Sequence, residues 1–147
     1  MDDHVALPLS QDAALVTALA GTAMAFAHSR EDEAERWLRA LRLHGTVGRA
    51  LQALGVGEAP LATTSEPARE TFPDIEGDPV RRSLCRAGEL AVQRGAESVT
   101  TVDLLFALFD VYDRRMERAL YIRGASRAEL SERLIEQADH ARAVKRK

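Results

Sequence analysis

From Ser10 to about Ser29 the apolar positions fall with helical spacing. Leu15, Leu19, Thr22 and Phe26 share one face, and Ala18, Ala23 and Ala27 are small enough for close packing beside it. Ser10 is placed to N-cap this first helix. Ser29 followed by Asp32 is a variant of the capping box and predicts a second helix to about Leu43, with Trp37, Leu38, Leu41 and Leu43 giving it a broad apolar surface. Gly45 breaks that helix, Thr46 caps a short third one, and Gly55 closes it from the position just past its end.

The pattern lapses between Val56 and Gly77, where Pro60, Pro67 and Pro73 lie among Thr63, Thr64 and Ser65. This reads as a connector holding at most one short helix from Ser65, with Pro67 in its first turn. Asp78-Pro79 restarts a helix with Val80, Leu84, Ala87 and Ala91 on its inner face, and Gly95 ends it. Thr100 or Thr101 caps the next, which runs to about Tyr112 and is apolar nearly all round, as befits a helix in the middle of a core. Asp113 opens a short helix closed by Gly124. Ser126 with Glu129 makes a capping box for a last helix carrying Leu130, Leu134, Ile135 and Ala138. Basic residues at its end, Arg142, Lys145, Arg146 and Lys147, suit the negative end of the helix dipole. No segment alternates as a strand does, so the chain reads as all-α.

At 147 residues there is material for one domain with a single core. A net charge of −3 disfavours nucleic acid as a partner, and the basic stretch Arg142–Lys147 is too short to reverse that. The longest strongly apolar run, Leu104–Phe109, falls well short of a membrane span. Asp2, Asp3 and Asp12 do not fit a signal peptide, and a cytoplasmic location is expected. Cys85, the single cysteine, excludes an internal disulfide and reads as a buried structural thiol rather than a nucleophile.

The two halves follow one plan of long helix, buried helix, turn, short helix and glycine. Leu38, Ala40 and Leu41 match Leu105, Ala107 and Leu108 at an offset of 67, and Arg49-Ala50-Leu51 with Gly55 matches Arg118-Ala119-Leu120 with Gly124 at 69. The difference puts two extra residues in the turn of the second copy. The expected fold is two helical repeats related by a pseudo-two-fold axis, forming one compact bundle: repeat one at about 10–57, a linker at about 58–77, repeat two at about 78–138 and a basic tail at 139–147.

With Gly95, then Val99-Thr100-Thr101-Val102-Asp103-Leu104-Leu105-Phe106-Ala107-Leu108, and Leu51 to Val56 in the first half, the chain resembles the N-terminal double-repeat domain of the Clp unfoldases. The resemblance covers about residues 10–138. Neither half keeps the family's Thr-Glu-His intact, the first half has no clear fourth helix, and no phosphate-binding loop occurs, so the family's ATPase engine is absent from this sequence. The resemblance implies a non-catalytic module that binds proteins or peptides: Clp substrates, adaptors, or a Clp ATPase itself. In some members the glutamate of that motif receives a phosphorylated arginine. That role falls here on Glu35, with Arg36 and Trp37 beside it and Val102 and Asp103 as the matching pair in the second half.

Taken alone, Glu35 reads rather as a solvated charge pairing with Arg39, since Val102 replaces the glutamate in the second half. His28, Glu31, Asp32 and Glu35 lack the second histidine or cysteine that a metal would want, and Glu136 with His140 is an ordinary surface pair, so no metal or cofactor is expected. The alternative function is a helical, transcription-associated regulator with a helix-turn-helix-like pair, which would need a basic recognition face.

Overall fold

The computed structural model describes residues 7–56 and 78–145, with side chains described through Ala138. The expected connector, its short helix near Ser65, and most of the acidic N-terminus lie outside the described residues. Among those described the chain is all-helical: α1 Gln11–Met24, α2 Arg30–Leu43, α3 Gly45–Ala53, α4 Pro79–Gln93, α5 Thr101–Tyr112, α6 Arg114–Ile122 and α7 Arg127–Lys145. The one extended contact is an isolated bridge between Leu9 and Val99. There the Ser10 amide donates to the Val99 carbonyl at 2.8 Å, and the Val99 amide donates to that of Pro8 at 2.8 Å.

Side-chain caps start most of these helices. The hydroxyl of Ser10 accepts from the Ala13 amide, that of Ser29 from Asp32, and the Asp78 carboxylate from Val80 one residue after Pro79. Thr100 with Asp103 and Ser126 with Glu129 close reciprocal capping boxes, satisfying amides that a helix start otherwise leaves bare. The α3 start differs from expectation. His44 is its N-cap without a side-chain bond, and Thr46 lies inside the helix. Gly45, with φ +81°, makes this junction; a Cβ there would meet Asp12 and Thr101 at 3.0–3.2 Å. Gly48 lets α3 approach the end of α2, since a Cβ would stand 2.8 Å from the Leu41 carbonyl oxygen.

α2 and α5 are the central pair. They pack on each other, and each also packs on α1, α3 and α6; α4 covers α5, and α7 lies on α3. α5 buries Leu104, Leu105, Ala107, Leu108 and Phe109, while α2 buries Ala34, Trp37, Leu38 and Leu41. Each large side chain so placed contributes about 1.5–3 kcal/mol relative to exposure. One polar link crosses this core. The Tyr112 hydroxyl donates to the Glu33 carboxylate at 2.6 Å, with both residues 1% exposed. Burial, and then that bond, push the phenol well above its ordinary pKa.

Four sequence-based expectations are corrected. α1 stops at Met24 rather than Ser29, and it turns Ala13, Val16 and Ala20 inward, leaving Leu15, Leu19 and Phe26 about 40% exposed. With no charge between Ala13 and Ala27, nothing in the sequence sets which face of α1 looks outward. Cys85 is exposed, because the inner line of α4 is Ser83, Ala87 and Ala91. Ile135 is 60% exposed and Ala138 is also exposed, so α7 anchors through Leu130 and Leu134. The turns after α2 and α5 are equal, one residue each at His44 and Asp113, so the second holds no insertion. α7 itself runs as helix to Lys145.

Candidate docking groove

The residues singled out from the sequence do not form one pocket. Glu35 is half-buried, and its carboxylate faces the guanidinium of Arg123 from the end of α6 at 3.6 Å, where Arg123 is 7% exposed. The proposed acceptor for a guanidinium therefore already carries one from its own chain. Arg36 is buried; its Nε donates to Asp32 at 3.1 Å and its Nη1 to the Ala23 carbonyl at 3.3 Å, tying the end of α1 to the start of α2. Trp37 is fully enclosed in the core and offers a ligand no face.

Asp103 is 3% exposed and held on two sides. Arg94 donates to both carboxylate oxygens at 2.8 and 2.7 Å, and the Thr100 amide donates to one of them at 2.9 Å. Burial alone would raise this carboxyl; the Arg94 bonds and the Thr100 amide outweigh it and hold it below the ordinary carboxylate range. Both Arg36 and Asp103 thus act as internal struts.

Val102 is the member that reaches a surface cavity. With Phe106, one turn further along α5, it lines a groove of about 820 Å³ open to solvent. Leu134, Ile135 and Ala138 of α7 line it too, with Thr46 and Arg49 of α3. The cleft exists because α7 rests on α3, where the Gln137 amide donates to the Thr46 carbonyl at 3.2 Å, rather than packing broadly on α5. Carbon lines most of it. The polar groups are at its border: Arg49, whose Nη2 donates to the Thr46 hydroxyl at 3.3 Å, and the exposed pair Arg133–Glu136 at 3.6 Å. Such a surface favours an apolar segment with polar edges over a small polar metabolite.

Phe106, Leu134, Ile135 and Ala138 escaped the sequence reading because a Leu-Ile pair at helical spacing describes a core face as well as a groove wall. The helix caps give a register one turn away from the pairing of Glu35 with Val102. Counted from their caps, Ser29 matches Thr100 and Asp32 matches Asp103, both 71 apart, which places Phe106 opposite Glu35. Those two positions are both partly exposed, and Arg39 and Asp110, one turn on, are both exposed.

Among the described residues no cluster of three or more His, Cys, Asp or Glu is placed to hold a metal, and no helix is long and apolar enough to cross a membrane. Glu31 instead faces Arg115 at 3.2 Å, and the Asp32 carboxylate accepts from the His28 amide at 2.9 Å. Comparison of the chain with models of known protein families and with curated proteins finds no match.

Proposed function

We propose that this chain is a non-catalytic, protein-binding module of the Clp N-domain type, docking an apolar segment of a partner protein in the groove between α3, α5 and α7. The observation that carries the reading is the groove itself: a solvent-open cleft of about 820 Å³ with Val102, Phe106, Leu134 and Ile135 along it. Supporting the kinship, most packing pairs interchange when α1, α2 and α3 are swapped for α4, α5 and α6: α1–α2 with α4–α5, α2–α3 with α5–α6, and α2–α6 with α5–α3, while α1–α5 lacks a matching α4–α2 contact of its size. A duplicated helical unit leaves that signature.

The phosphoarginine role at Glu35 is the weaker part of the proposal, because a phosphoarginine must displace Arg123 to reach the carboxylate. The test is an NMR titration with two probes, a short amphipathic peptide carrying leucine at i, i+3, i+4 and i+7, and a phosphoarginine peptide. The groove reading expects the first probe to shift Val102, Phe106 and Ile135, and Phe106→Asp to weaken it at least about tenfold. Shifts confined to Glu35 and Arg123 with the second probe would move the site there; no shift with either at millimolar peptide would end the peptide-docking reading.

A further inference from the structure

The outer face of α1 is dressed for another helix and has none among the described residues. A helix at a protein surface normally turns charge toward water, yet Ala13 to Ala27 holds no charged residue in a chain that is 29% charged. The core takes one side through Ala13, Val16 and Ala20. On the opposite side Leu15, Leu19 and Phe26 stand 42%, 40% and 41% exposed. Ala14, Ala18, Gly21 and Ala25 are exposed beside them. At Gly21 a Cβ would meet nothing within 4 Å among the described residues, so no described contact calls for a glycine that weakens the helix.

The arrangement of large and small residues selects the occupant. Leu15, Ala18, Thr22 and Ala25 follow the three-and-four spacing of a helix–helix seam. When a second α1 is laid antiparallel with its centre at Ala20, Leu15 lies level with Ala25 of the other copy, and Ala18 with its Thr22. A large side chain then meets a small one at the outer layers. Leu19 flanks the seam on one side, with Phe26 in the turn just past the helix end, and Ala14 and Gly21 flank it on the other, where the backbones draw together. The seam is uncharged, so self-pairing sets no like charges against each other despite the net charge of −3. The exposed residues of the face present roughly 500 Å² per copy, so a paired face covers at most about 1,000 Å², the size of a weak, transient interface.

We propose that α1 is a self-association surface, through which two copies of this chain pair in antiparallel fashion about a two-fold axis near Ala20. This face is separate from the α3–α5–α7 groove, so a dimer leaves both grooves open.

Sedimentation equilibrium of the full chain, from about 10 µM to 1 mM, tests the proposal. The weight-average mass should climb from 16.1 kDa toward twice that value. Leu19→Glu and, independently, Gly21→Gln should hold it at the monomer mass with helical circular dichroism unchanged. In a Cys85→Ser background, mixing Ala18→Cys chains with Thr22→Cys chains should give the mixed disulfide in preference to either like pair. A monomer at every concentration, a dimer indifferent to both α1 substitutions, or preferential like-pair disulfides would each overturn it.

Discussion

The junction of α1 with α2 and that of α4 with α5 solve the same problem with arginines drawn from opposite sides. Each second helix opens on a hydroxyl cap and carries an aspartate three residues on, Asp32 or Asp103. In the first junction the arginine comes from inside α2: Arg36 holds Asp32 and reaches back to the last turn of α1, which ends without a glycine. In the second it comes from the preceding helix: Arg94, the C-cap of α4, forks onto Asp103, and Gly95 at φ +74° turns the chain away. A carboxylate at the third helical position is thus the common element, and its counter-ion is free to vary in origin. The contrast teaches that equivalent geometry in the two halves does not demand equivalent residues.

The comparison is broken or sharpened first in the core. Leu105→Ala and Leu38→Ala, each 1% exposed, should each lose about 2–5 kcal/mol in urea unfolding. A loss below about 0.5 kcal/mol at either would remove that helix from the core.

The two aspartates come next. Asp103→Asn should cost about 1.5–3 kcal/mol, because it strips charge from a buried, doubly bonded strut. Asp32→Asn should cost about 1 kcal/mol, an ordinary loss at a helix start; equal costs would mean that the Arg94 fork adds nothing. Since the folded carboxyl of Asp103 titrates below its unfolded value of about 3.9, its contribution is complete above that pH and fades as pH falls through the lowered value. Acid unfolding curves of wild type and Asp103→Asn should therefore converge at low pH.

The smallest expected effect lies at the ends of the first helices. Gly95→Ala should lose about 1 kcal/mol, as a side chain is forced into the left-handed region, whereas Ala25→Gly, at a right-handed position just past the helix, should cost less than about 0.5 kcal/mol and leave α1 ending where it does. Thermal melts of the pair decide whether the two stops differ in kind.

Much of the architecture was legible because its punctuation is chemical. Ser10, Ser29, Asp78-Pro79, Thr100 and Ser126 announce helix starts by what their oxygens can accept, and Gly55, Gly95 and Gly124 announce stops by the φ only glycine holds cheaply. What stayed hidden depended on phase. Leucines recur every three or four residues, so sliding α2 one turn along α5 preserves the hydrophobic match; only the caps separate the two registers, one setting Glu35 against Val102 and the other against Phe106. The outward face of α1 is hidden for the same reason, since beyond Asp12 the helix has no charged arc to mark the solvent side. The groove was illegible because it arises from how α7 sits on α3, a tertiary fact to which no single helix testifies.

The small stitch between Leu9 and Val99 has a consequence for the order in which the chain can mature. The residues leading into α1 find backbone partners only at Val99, about ninety positions later, and Glu33 finds its phenol only at Tyr112. During vectorial synthesis the first three helices therefore emerge with a bare leading edge and a carboxylate lacking its neutral donor. The first half must wait, incompletely closed, until α5 has left the ribosome; its native state is a joint product of both halves rather than a scaffold on which the second is later laid.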